Sequence, residues 1–218
     1  MTIRGGFMKV LLINGSPNKN GCTYTALSEV AKTLNEEGIE TEFFWIGKKP
    51  ISGCIECFRC KTTGRCSIDD IVNEFTAKAV EFDGFVFGSP VFYSGMNGSL
   101  MSFMDRVFYS ASEQDPHPLR FKPAASIVSA RRAGTTSTLD QINKYLLYQQ
   151  MIVPGSRYWN MVHGNTPDEV RQDEEGLQIM RVLGRNLAWL LKLKDAGEKA
   201  GIPLPKQEDT RIMTNFIR

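Results

Sequence analysis

Four of the five cysteines lie in one short run, CIECFRCKTTGRC, from Cys54 to Cys66, with spacing C-x2-C-x2-C-x5-C; the fifth is Cys22. Thiolates bind soft metals and are redox-active, so four roles are open to this run. Compact C-x2-C-x2-C runs curl around a 4Fe–4S cluster in ferredoxins. Gly64 would permit the turn that brings in Cys66 as the fourth ligand, although Ser67 stands where the ferredoxin pattern has proline. Four cysteines can also bind zinc, but structural zinc sites commonly pair two knuckles across a longer spacer. A redox-sensing thiol set is the third role. In the fourth, the cysteines are small buried residues that hold no metal.

Three other stretches have the composition of ligand loops. NGSPNKNGCT (14–23) leads from an apolar run into a helical pattern and is rich in Gly, Ser, Asn and Thr. Such a loop offers amides and hydroxyls to a phosphate, aided by the partial positive charge of the helix start. It lacks the Gly-Lys-Ser/Thr ending of a P-loop and the G-x-G-x-x-G of a dinucleotide site, so a small phosphomonoester suits it better. GSPVFYSGMNG (88–98) sets Phe92 and Tyr93 among glycines, which could frame a flat ring and let amides approach its polar edge. SARRAGTTS (129–137) places Arg131 and Arg132 between small residues, where they could meet a phosphate or an anionic reduced ring. Taken singly, each has a plainer reading: a strand–helix turn, a pair of core or interface aromatics, and a solvated basic turn. If all three converge, a phosphorylated flat heterocycle such as FMN fits.

The elements that would position these loops alternate along the chain. Apolar runs at 8–14, 39–46, 83–90 and 124–130 read as strands, and a fifth is expected between Met151 and Val162. Helical spacing is expected over about 22–37, from Asp69 or Asp70 to Val80, over 98–110 and 136–150, and in one long helix over about 168–196. Strands alternating with helices predict a parallel sheet covered on both faces, with ligands at the carboxyl ends of the strands. We expect one domain over 1–218, with a lead-in at 1–7, a cysteine-rich insertion at 47–68 and a C-terminal tail at 201–218.

Composition narrows the function classes. The formal net charge is +2, which gives no electrostatic footprint for nucleic acid. No apolar run approaches the ~20 residues of a membrane span, and the N-terminal apolar run is too short for a signal peptide. A cytoplasmic protein is expected, where clustered thiols serve metals or redox chemistry more often than disulfides. His117 and His163 are the only histidines, so a mechanism needing a histidine cluster is disfavoured.

The motifs together resemble a known family. KVLLINGSPNKNGCT, GCIECFRCKTTGRCSIDD, GSPVFYSGMNGSLMSFMDR, SARRAGTTSTLDQIN and DEEGLQIMRVLGRNLAWLLK, in that order, are similar to the NAD(P)H-dependent FMN reductase-like, flavodoxin-like proteins, and within them to the iron–sulfur flavoproteins. The resemblance implies a three-layer α/β sandwich on a five-stranded parallel sheet. It implies FMN held by Ser16, Asn18, Lys19, Cys22 and Thr23 at the phosphate, by Pro90, Val91, Phe92, Tyr93, Ser94 and Gly95 at the ring edge, and by Ala130, Arg131, Arg132 and Gly134. Related proteins often carry Arg at the position of Asn18 and Asn at that of Cys22; Lys19 would then supply the missing charge. It further implies a 4Fe–4S cluster on Cys54, Cys57, Cys60 and Cys66; since hydride transfer to a flavin needs no acid–base group, no catalytic side chain is expected. NADH or NADPH would be the co-substrate, a small molecule or redox protein the acceptor, and a homodimer or homotetramer the assembly. A non-enzymatic electron carrier and a thiol or metal sensor are the alternatives.

Overall fold

The computed structural model describes residues 8–207 together with Ile212 and Thr214. The expected lead-in at 1–7 and most of the tail beyond Gln207 lie outside the described residues. In chain order the elements are β1 (Lys9–Asn14), α1 (Cys22–Glu36), β2 (Glu40–Trp45), α2 (Cys60–Thr63), α3 (Ile71–Ala79), β3 (Gly84–Phe92), β4 (Gly95–Met96), α4 (Gly98–Ala111), β5 (Ala124–Ala130), α5 (Thr135–Tyr148), β6 (Met161–His163), α6 (Pro167–Gln172) and α7 (Glu174–Lys199).

Five strands pair in parallel in the order β2-β1-β3-β5-β6, and β4 folds back antiparallel on β3. This is the doubly wound order of flavodoxin-like sheets, in which the chain reverses direction between the first and third strands. Successive side chains point to opposite faces. Leu11, Ile13, Phe85, Phe87 and Val128 therefore meet Val72, Phe75, Leu100, Phe103, Leu139 and Ile142 of α3, α4 and α5. Val10, Leu12, Val86, Ala125 and Ile127 meet Ala26, Leu27, Val30, Met180, Leu183 and Leu187 of α1 and α7. Burial on both faces explains why the strands read as continuous apolar runs.

The long C-terminal helix expected over 168–196 is two helices. The break is at Asp173, which leaves helical geometry and caps α7 by accepting from the Gly176 amide at 2.9 Å. Its other oxygen accepts from the His163 amide at 2.6 Å, tying the break to the end of β6. A side chain with two such partners outweighs the continuous helical spacing on either side.

His117 is structural. Its Nδ1 accepts from the amides of Leu119 and Arg120 at 3.1 and 3.0 Å, so Nε2 carries the proton and donates to Gln149 Oε1 at 2.9 Å. Burial, with the Arg120 charge second, holds its pKa below the usual histidine value. A proton on Nδ1 would face two N–H donors. The folded state therefore binds this proton less readily than the unfolded state, and stability is lost as pH falls through about 6.5. Urea unfolding should give a lower free energy at pH 5.5 than at pH 7.5. In His117→Asn that difference should shrink; an equal drop in the variant would assign the effect to other groups.

Candidate functional site

The loop after β1 is built around its own hydrogen bonds. Asn14, the last residue of β1, accepts from the Ser16 amide at 3.0 Å and donates to the Lys19 carbonyl at 2.9 Å. Ser16 Oγ accepts from the Asn18 amide at 3.1 Å. Trp45, at the end of β2, donates its indole N–H to the Ser16 carbonyl at 2.8 Å. The Lys19 ammonium lies 5.7 Å from the Trp45 ring centroid. These contacts hold the loop open over the start of α1. That helix begins after Gly21, with no side chain capping its first amides and no acidic residue in its first turn. Uncapped amides and an adjacent lysine could hold an anion.

Cys22 and Thr23 stand in the first turn of α1. The Thr23 hydroxyl is buried against Ser129 Oγ at 2.8 Å, which ties this loop to the end of β5. The Cys22 thiol contacts the Gly164 carbonyl at 3.6 Å, and burial raises its pKa.

The second loop is a tight hairpin. Phe92 pairs with Gly95 across Tyr93 and Ser94, both in the left-handed region at φ 50° and 58°. Two-residue hairpins of this form normally take Asn-Gly. Neither Tyr nor Ser is suited to it, so neighbouring contacts must hold the conformation. Ser137 of α5 donates to the Ser94 carbonyl at 2.6 Å, and Gln141 accepts from the Met96 amide at 3.0 Å. Ser89 accepts from the Asn97 amide at 3.0 Å, and Asn97 caps α4. Tyr93 is fully exposed, Phe92 half exposed, and Pro90 and Val91 half-buried.

The third loop packs on the second. Gly134 has φ +88°, and a Cβ there would lie 2.7 Å from Ser94 Cα. Ala130 is buried, while Arg131 and Arg132 are exposed. The loops after β1 and β3 also touch directly, through the Gly15 amide on the Gly88 carbonyl at 2.9 Å. All three loops thus meet at the carboxyl ends of β1, β3 and β5.

The cysteine segment follows β2 and packs on α4, with the short helix α2 against it. Glu56 and Phe58, flanking Cys57, take left-handed conformations that curl the chain, and Gly64 closes α2 at φ 66°. Cys54, Cys57, Cys60 and Cys66 line one cleft with Arg106 and Tyr109 of α4. Cys60 is buried, which raises its pKa. Cys57 is exposed, and hydrogen bonds from Ser67 and the Arg59 amide lower its pKa. Among the described residues no group of three His, Cys, Asp or Glu side chains could hold a metal ion. At 1.5 Å per residue, Arg106 and Tyr109 lie about 14 and 18 Å along α4 from its cap at Asn97, beside the hairpin.

Every candidate residue named from the sequence thus falls in one of two places, the loop crevice or the cysteine cleft. Sequence reasoning missed their supports: Asn14, Trp45, Ser129, Ser137 and Gln141 around the crevice, and Arg106 with Asp70 at the cleft. Asp70 did carry a signal, as the expected start of α3, which it caps.

The comparisons with known proteins agree with this geometry. Residues 8–166 match the model of the family described as NADPH-dependent FMN reductase. An iron–sulfur flavoprotein of Methanocaldococcus jannaschii is 36% identical over 193 residues, covering 85% of this chain and 98% of that protein. One of Archaeoglobus fulgidus is 33% identical over 210 residues, covering 96% and 90%. A solved flavodoxin from the domain Archaea shares the fold at a TM-score of 0.57 and 15% identity, over 85% of this chain and 99% of that one. Because the matched span contains all three crevice loops and the cysteine run, the chain belongs to the NADPH-dependent FMN reductase family of flavodoxin-like oxidoreductases, with iron–sulfur flavoproteins among its homologues.

Proposed function

We propose that this chain binds FMN in the loop crevice, takes a hydride onto it from NADH or NADPH, and passes the electrons to a small acceptor or redox protein, or to a 4Fe–4S cluster in the cysteine cleft. The observation that carries this reading is the meeting of three loops at the sheet's carboxyl edge, with uncapped α1 amides at one side and exposed arginines at the other. The residues fit the group. Ser16, Asn18 and Lys19, with the first-turn amides of Cys22 and Thr23, would hold the phosphate. Pro90 to Gly95 would border the ring, and Ala130, Arg131, Arg132 and Gly134 would close the third side. FMN, when bound, supplies the hydride chemistry, and the protein supplies position, charge and access. Arg131 and Arg132 would favour a reduced anionic ring.

The donor set in the cleft suits a cluster. Four thiols and no carboxylate line it, and an arginine donates to one of the sulfurs. Four irons, each taking one thiolate, spread their ligands wider than a single zinc ion does. Cys54, Cys57, Cys60 and Cys66 share one cleft lining, so one thiolate is on hand for each iron. Arg106 and Tyr109 of the cleft stand further along α4 than its cap at Asn97, so electrons would pass from the crevice along this side of the molecule. Residues 47–68 would then be a cluster-bearing insertion in one flavodoxin-like domain, working in the cytoplasm as a homodimer or homotetramer.

The test is anaerobic purification, with the absorbance spectrum and iron and sulfide per FMN, followed by addition of NADH and of NADPH. Flavin bands bleached by either nucleotide are expected, with about four irons per chain. Colourless protein that fails to take up FMN would overturn the reading. Bound flavin that neither nucleotide bleaches would leave an electron carrier.

A further inference from the structure

The cysteine segment is anchored by a single buried cation. Arg106 is 2% exposed and heads the fully buried side chains by volume. Its two terminal nitrogens donate to the two carboxylate oxygens of Asp70 at 2.7 and 2.8 Å. They also donate to the carbonyls of Ser52 and Ile68 at 3.3 and 2.8 Å. Nε donates to Cys66 Sγ at 3.2 Å. All of these partners lie in residues 52–70, so one α4 side chain closes that segment into a loop. Asn73 adds a second hold on Cys66, accepting from its amide and donating to its carbonyl, both at 3.0 Å.

We propose that Arg106 is the positioning residue of the cysteine site. It fixes Cys66 and, through the Nε–H···S hydrogen bond, raises the potential at which a cluster on Cys54, Cys57, Cys60 and Cys66 accepts an electron. This rests on the cluster reading above. One-electron reduction adds a negative charge that the ligand sulfurs share. A donor on one sulfur therefore stabilises the reduced form more than the oxidised one, as hydrogen bonds and net charge generally do for such clusters. Asp70 works against this, because its bidentate carboxylate cancels much of the guanidinium charge.

The two partners should then move the potential in opposite directions. Arg106→Lys keeps the charge but not the planar fork that serves Asp70 and Cys66 together. Asp70→Asn keeps an acceptor for the Val72 amide and for Arg106, and leaves the guanidinium charge uncompensated. The experiment is anaerobic reconstitution of the full chain with iron and sulfide, then a mediated potentiometric titration of cluster and flavin, with iron counted per chain. Arg106→Lys should shift the cluster potential negative and Asp70→Asn should shift it positive, while the flavin potential stays put in both. Wild-type protein that takes up no iron overturns the cluster reading and this proposal with it. Loaded wild type with an unchanged cluster potential in Arg106→Lys, or both variants shifting the same way, overturns this proposal alone. If Arg106→Lys does not fold or load, Asp70→Asn decides: a positive shift upholds the proposal, and none or a negative one overturns it.

Discussion

Replacing Arg106 by methionine is expected to destabilise the protein by about 3 kcal/mol, at the lower end of the range for breaking a buried ion pair. The methionine fills similar volume, so the loss is not one of packing. It strands the carboxylate of Asp70, the carbonyls of Ser52 and Ile68, and the Cys66 sulfur. The lower end applies because the Asp70 side chain is 29% exposed and can recruit water. For a chain of this size the change corresponds to a fall in Tm of roughly 6–12 °C. Adding Asp70→Asn should recover part of the loss, since asparagine removes the unpaired charge and still caps α3. Urea and thermal unfolding of the single and double variants would measure this. A loss under about 1 kcal/mol for Arg106→Met would mean that the loop is held by other contacts.

The second large effect concerns the crevice. Gly134→Val should weaken FMN binding at least about 30-fold, equivalent to roughly 2 kcal/mol. Two physical costs act together. An L-residue at φ +88° is strained, and β-branching makes it worse. The new Cβ would also sit 2.7 Å from Ser94 Cα and 2.9 Å from Val91 Cγ1, where backbone on one side cannot yield without moving the hairpin. The hairpin is already strained at Tyr93 and Ser94 and depends on α5 for support, so displacement should spread to the whole ring-edge loop. Quenching of flavin fluorescence on titration with apoprotein would give the Kd. Gly155→Ala, where an added Cβ meets nothing within 4 Å, is the control. An affinity within twofold of wild type would refute a crevice in which the third loop supports the second.

Much of this was readable from residue order. The runs at 8–14, 39–46, 83–90 and 124–130 became β1, β2, β3 and β5 within a residue or two, because buried parallel strands show themselves as unbroken apolar stretches. Gly64 was expected to turn the cysteine run and does so as a left-handed cap. The broken helix at Asp173 was not readable. Its helical spacing continues on both sides, and only the distant His163 amide shows why the aspartate prefers to cap. Strand β6 is short, with three residues, too few for a period to emerge.

The sequence by itself determined the family and the alternation of strand and helix, and it marked the loops and the cysteine run as candidate sites, because these depend on residue types held at close spacing. Tertiary structure alone decided how those chemistries are arranged. Segments more than a hundred residues apart, such as Thr23 and Ser129, meet only because the doubly wound sheet brings their strand ends together. The same sheet sends α4 away from the crevice, so the cysteine cleft forms well down that helix. There Arg106, which follows Asp105 in a helix of mixed polarity, is enclosed. Its role depends on partners 36 to 54 residues distant, which no local pattern reveals.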